Sequence, residues 1–147
     1  MQSKDRFFAP PNQSIEEIPA DVEHLYLCGF SDYAKNELIL SNNSFPQLKS
    51  ITIGYECFSH VREFVLDCLA SLESVKIGKN CFRMDGEKRD DGICRITNCP
   101  NLRQLEMGYA SFDDFQSFEL SNVDSIQSIQ FRYKCFFYVE EFSLKGE

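Results

Sequence analysis

The amino-acid sequence predicts a β-rich repeat solenoid of α/β type: about five stacked coils of about 24 residues, with two short strands in each. Three observations predict it. An eleven-residue string recurs four times. Apolar residues alternate within every copy. A Phe follows each alternating stretch at a fixed distance.

The copies read "LKSITIGYECF" from Leu48, "LESVKIGKNCF" from Leu72, "LRQLEMGYASF" from Leu102 and "IQSIQFRYKCF" from Ile126. Their starts are 24, 30 and 24 residues apart, and the long middle interval contains "RMDGEKRDDG", an insertion at 83–92. In Ile51-Thr52-Ile53 or Val75-Lys76-Ile77, the outer residues share one face of a strand and the middle residue takes the other. So short a strand is held only by pairing with its equivalents, about 4.8 Å away. The glycine that follows in three copies, Gly54, Gly78 and Gly108, is expected to supply a positive φ at the turn. Phe58, Phe82, Phe112 and Phe136 are expected to stack in the interior, one per coil.

A second series lies between the copies: Val61-x-x-Phe64-x-Leu66, Phe115-x-x-Phe118-x-Leu120 and Val139-x-x-Phe142-x-Leu144. Ile93-x-x-Ile96 reads as a weaker member and Glu37-Leu38-Ile39-Leu40 as an irregular one. Val22-x-x-Leu25-x-Leu27 fits the first series and gives an N-terminal coil. Residues 1–20 then form an N-terminal cap or arm, and 21–147 the solenoid. A short helical turn is expected near Asp32–Asn36. The C-terminal "FSLKGE" follows a strand-like segment without a polar cap, which suggests a piece of a longer array, a short family member or an edge covered by a partner.

The strings "LKSITIGYECF" and "LESVKIGKNCF" resemble the BspA-like class of leucine-rich repeats, whose units run approximately L-x-x-I-x-I-G-x-x-A/C-F. The resemblance spans Val22 to Leu144, with departures at Arg132 in place of Gly and Ser111 in place of Cys. It implies the solenoid fold. It implies little about activity, because that class includes bacterial surface adhesins and large protist families of unknown role.

A net charge of −8 lacks the basic footprint that nucleic acid or an anionic membrane requires, and it favours a basic partner. No run approaches the ~20 apolar residues of a membrane span, and no signal-peptide stretch opens the chain, so a cytoplasmic location is expected. Seven Cys, an odd number without a CxxC pair, argue against a disulfide framework or a zinc ribbon and agree with that location. The sequons at Asn12 and Asn42 carry little weight without a signal peptide.

Cys57, Cys81 and Cys135 share one repeat position and read as small buried hydrophobes, while Cys94 and Cys99 lack a histidine partner. His24 and His60 read as exposed and non-catalytic. The carboxylates of the insertion and Asp113-Asp114 fit no calcium loop. No phosphate loop, nucleophile elbow or HExxH is present, so no enzyme, cofactor or metal is expected.

The regular outward rows remain. The first strand series presents Thr52, Lys76, Glu106, Gln130 and Arg132, the candidate binding residues, and the second presents a more acidic set that includes Glu63, Val65, Asp67, Arg95 and Glu119. The expected function is a protein-interaction module with another protein as partner. A surface adhesin is the alternative, and a parallel β-helix carbohydrate-active enzyme a more distant one.

Overall fold

Alternation decides the architecture. Each apolar-x-apolar triplet is too short to persist alone and must pair with its equivalents to bury its apolar side. The computed structural model, which describes residues 6–30, 33–83, 92–136 and 141–145, shows eleven strands doing so. In chain order they are β1 (Arg6–Ala9), β2 (His24–Leu27), β3 (Glu37–Ser41), β4 (Ser50–Ile53), β5 (Glu63–Asp67), β6 (Ser74–Ile77), β7 (Ile93–Thr97), β8 (Gln104–Met107), β9 (Ser117–Ser121), β10 (Ser128–Phe131) and β11 (Glu141–Lys145).

They form two parallel sheets, β1-β2-β4-β6-β8-β10 and β3-β5-β7-β9-β11. From β2 onward, strands enter the two sheets alternately, so each successive unit adds one strand to each. The chain therefore crosses from one sheet to the other at every connection after β2. The only helical segment among the described residues is a 3-10 turn, Ile15–Glu17. The helical turn expected near Asp32 is absent from Tyr33–Asn36, which the Phe30–Tyr33–Phe58 aromatic cluster holds in an irregular path. Asp32 itself and 84–91 of the insertion lie outside the described residues.

The interior is one apolar cluster drawn from both sheets. Its axis is the expected phenylalanine column: ring centroids are 5.3 Å apart for Phe58–Phe82, 4.5 Å for Phe82–Phe112 and 4.9 Å for Phe112–Phe136, with interplanar angles of 18° or less. Phe30 extends the column at 5.1 Å from Phe58, although it lies closer behind its strand than the others do. Each stacked pair adds about 0.5–1.5 kcal/mol beyond its burial.

The glycines do not play the expected role. Of the four glycines whose surroundings are described, only Gly29 has a positive φ, at 75°. The left-handed positions at this corner are instead Glu56, Asn80, Ala110 and Lys134, and again the column residues Phe58, Phe82, Phe112 and Phe136. Such a residue swings its amide to the other side of the chain. Glu56, Asn80 and Ala110 accordingly donate forward, to Lys79 O, Tyr109 O and Tyr133 O, while Phe58, Phe82, Phe112 and Phe136 donate backward to the preceding unit. Left-handed Phe is strained by about 1–2 kcal/mol per residue, which the buried column offsets. Gly78 and Gly108 are required by close approach of backbone: a Cβ on Gly78 would stand 3.0 Å from the carbonyl carbon of Gly54, and one on Gly108 only 2.6 Å from that of Gly78.

The opposite corner has a left-handed residue after β5, β7 and β9: Cys68, Asn98 and Asn122. Its polar side chains link successive units. Thr97 and Asn98 donate to the Asp67 carboxylate at 2.6 and 3.0 Å, and Asn122 donates to Asn98 at 2.8 Å. The bond from Thr97, with that from Asn98, holds the Asp67 carboxyl below the usual carboxylate range.

In the second sheet the register corrects one expectation. Phe64 pairs with Cys94 and Leu66 with Ile96, so Ile93 lies opposite Glu63 rather than heading the unit. Cys94 occupies the position that Phe64 and Phe118 hold in neighbouring units. At the N-terminal end, part of the expected cap is a further strand. β1 pairs in register with β2, and Ile18 and Val22 are buried against the core.

Candidate functional site

The outward face of the first sheet follows from alternation. Since Leu25, Ile51, Val75 and Leu105 point inward, the residues after them point out. Register places Phe8, Tyr26, Thr52, Lys76, Glu106 and Gln130 side by side across six strands. Four of the five candidate residues, Thr52, Lys76, Glu106 and Gln130, thus form an unbroken row at about 4.8 Å spacing. Arg132, the fifth, is exposed but lies one residue past β10, in line with the glycines.

Beside that row runs a hollow of about 560 Å³, lined by Cys28, Thr52, Ile53, Gly54, Tyr55, Lys76, Ile77, Gly78 and Glu106. Its floor is the glycine line, where missing side chains leave the surface low. Every backbone group there is occupied. The amides of Gly54, Gly78 and Gly108 donate to Leu27, Ile53 and Ile77 carbonyls, and their own carbonyls accept from the Cys81 thiol, the Ser111 hydroxyl and the Cys135 thiol. The glycine line thus leaves recognition in the hollow to the side chains around it.

Tyr55 walls the hollow, and it heads a row at the corner. Tyr55, Tyr109 and Tyr133 follow the glycine position and are exposed, and Lys79 occupies the same place in the unit between Tyr55 and Tyr109. The Lys79 ammonium lies 5.4 Å from the Tyr55 ring centroid, and the Tyr109 and Tyr133 centroids are 5.9 Å apart. The signal for this row stood in the repeated string itself, Gly-Tyr in two copies and Arg-Tyr in a third, and the emphasis on strand positions passed over it. Phe8 stacks on Tyr26 with centroids 4.4 Å apart and ends the row in an aromatic pair.

The other candidates resolve into structural roles. His24 is half-buried rather than exposed, its Nδ1 2.6 Å from Ser50 Oγ on the next strand; His60 is exposed. Cys57 and Cys81 are fully buried and donate to backbone carbonyls. A bond to Cys57, together with burial, pushes the Cys81 thiol up, and burial raises Cys99 to about 11. Burial thus keeps the Cys81 and Cys99 thiols protonated, whereas the bond with Cys81 pulls the Cys57 thiol down. Among the described residues no three His, Cys, Asp or Glu side chains gather as a metal ion would require.

Asp113 and Asp114 lie in a turn, and both are buried there. Burial and the neighbouring Asp114 raise the Asp113 carboxyl, and Arg83 Nε stands 3.6 Å from it. On the second sheet, Arg95 and Glu119 face each other in register and bond at 3.0 Å. Val65, expected outward, is largely covered. That face therefore spends part of its charge internally, while the first keeps its row beside an open hollow. No helix among the described residues is long and apolar enough to cross a membrane. Comparison with protein-family models, with curated proteins and with solved structures returns no match to this chain.

Proposed function

We propose that the chain is a leucine-rich-repeat solenoid of the BspA-like pattern and acts as a protein-interaction module, with another protein laid across the first sheet. The single observation that carries this reading is the unbroken row Thr52–Lys76–Glu106–Gln130 beside a hollow walled by Tyr55. Rigid, evenly spaced side chains on a ladder suit macromolecular recognition, and aromatic residues flanked by polar ones form the usual anchors of protein interfaces. Arg132 belongs to the same surface, in line with the glycines. The partner is a basic protein surface, complementary to a chain of net charge −8. The module recognises and does not catalyse.

The test is affinity capture by the intact chain from native lysate, repeated with Lys76, Glu106 and Gln130 together replaced by Ala. Loss of a specific protein in the triple variant, with an unchanged melting temperature, is the expected result. Undiminished capture by the triple variant overturns the assignment to this face.

A further inference from the structure

At the centre of the first sheet the outward charges reverse sign from β6 to β8. Lys76 lies beside Glu106 in register, and one step ahead of the strands Glu73 lies beside Arg103. Glu73, Lys76 and Arg103 are exposed and Glu106 is half-buried. Among the described residues no ion pair joins Lys76 to Glu106 or Glu73 to Arg103, whereas Arg95 and Glu119 on the second sheet bond at 3.0 Å and Glu23 and Lys49 at 3.3 Å. At the corner, exposed Lys79 and Tyr109 hold one further repeat position on the same two units. The line Gly54, Gly78 and Gly108 continues on the next unit as exposed Arg132, whose amide donates to Met107 O as the Gly108 amide donates to Ile77 O.

We propose that in the free protein a second copy of this chain covers the first sheet, the two sheets meeting face to face about a two-fold axis that runs parallel to the strands, midway between β6 and β8. The inference rests on the reading of this sheet as an interaction surface and names what occupies it before another protein does. Such an axis preserves position along the strand and reverses the order of the units. β6 of one copy therefore faces β8 of the other, and β4 faces β10. Glu73 meets Arg103 of the second copy and Lys76 meets its Glu106, each pair twice, because a two-fold interface repeats every contact. Lys79 falls opposite Tyr109, a cation against a ring, and Thr52 falls opposite Gln130. Arg132 falls opposite Gly54, so its long side chain enters the hollow that the glycines leave, beside Tyr55. The charges also fix the register. An axis through β6 would set Glu73 and Lys76 against their own copies, and one through β8 would do the same to Arg103 and Glu106. An axis between β4 and β6 would leave Lys76 facing Thr52, and would draw on Glu23 and Lys49, which already pair within the chain.

Sedimentation velocity under reducing conditions, which keeps the exposed Cys28 and Cys68 from crosslinking, tests it on the full chain from about 1 to about 100 µM. The expected species is a discrete dimer of twice the 17.0 kDa chain mass. Lys76→Glu and Glu106→Lys each replace two attractions with two repulsions and weaken the dimer about tenfold or more. Both are surface positions, so each dilute variant keeps the melting temperature of the parent. Mixed in equal amounts, the two variants regain a dimer with one copy of each, because both facing pairs again join an acid to a base. A monomer across the whole range, an open-ended polymer, single variants that dimerise undiminished, or a mixture that stays monomeric each overturns the proposal. Affinity capture separates this failure from that of the reading it rests on. A monomeric chain that still loses its captured protein in the triple Ala variant overturns the dimer alone. A dimer formed by a chain whose capture the triple variant leaves undiminished overturns the assignment of another protein to this face, and not the dimer.

Discussion

Gly108 shows why one residue type recurs at one place. Its missing Cβ would lie 2.6 Å from both the carbonyl carbon of Gly78 and the amide nitrogen of Lys79, atoms of backbone that cannot swing aside. At Gly54 the nearest obstacle, at 3.0 Å, is the Cys28 sulfur, a side-chain atom at an exposed position. The two glycines share a repeat position and neither has a positive φ, so only the surroundings distinguish them. Gly108→Ala is expected to cost about 1–3 kcal/mol as an overpacking change, and Gly54→Ala less than about 1 kcal/mol. Urea midpoints at an unchanged m-value measure both, and equal costs would contradict the close-approach account. The sequence made the glycine position legible but not its reason. A turn glycine and a contact glycine look alike in one chain, and the strain that suggested a turn glycine falls instead on Glu56, Lys134 and the column phenylalanines.

At the scale of the strand, β7 shows where pattern reading failed. Ile93 and Ile96 match the spacing of Val61 and Phe64, yet pairing puts Cys94 beside Phe64 and Ile96 beside Leu66. The strand keeps its alternation of buried Cys94 and Ile96 around exposed Arg95. Only the residue size broke the template, because a small thiol stands where neighbouring units have a ring. The room beside it is used: the Phe64 ring is 4.6 Å from Phe82 and 5.8 Å from Phe112, rings of the next two units. Cys94→Phe would restore the pattern by eye while forcing a fourth ring into that cluster, and is expected to destabilise by about 1–3 kcal/mol. Cys94→Ala, which removes only a sulfur, is expected to cost less than about 1.5 kcal/mol. Thermal melts of the two variants decide the matter, and a stabilised Cys94→Phe would show that β7 was under-filled. The strands of the first sheet were legible because their apolar positions never lapse. The exposed tyrosine row at the corner was not, because exposure there depends on the path of the left-handed residues Glu56, Ala110 and Lys134 that follow Tyr55, Tyr109 and Tyr133.

Across the whole molecule, the backbone of each described strand approaches only the strands before and after it in its own sheet, side chains of both sheets meet in the core, and the phenylalanine column further connects the units. Stability in such an arrangement is approximately a sum of unit contributions and nearest-neighbour contacts. A unit flanked on both sides can then open only by breaking two interfaces, and a terminal unit by breaking one. Amide hydrogen exchange should therefore be graded along the stack rather than uniform. In β6 and β8, which lie between strands on both sides and whose inward residues are almost fully buried, exchange should be the slowest in the molecule. In β10, whose Ile129 is open to water, it should be faster by about a hundredfold or more. The N-terminal end should be intermediate, since β1 and the buried Ile18 cover the strand that would otherwise be outermost. Equal protection in all strands would mean that the molecule opens only as a whole, and that contacts between neighbouring units do not set its stability.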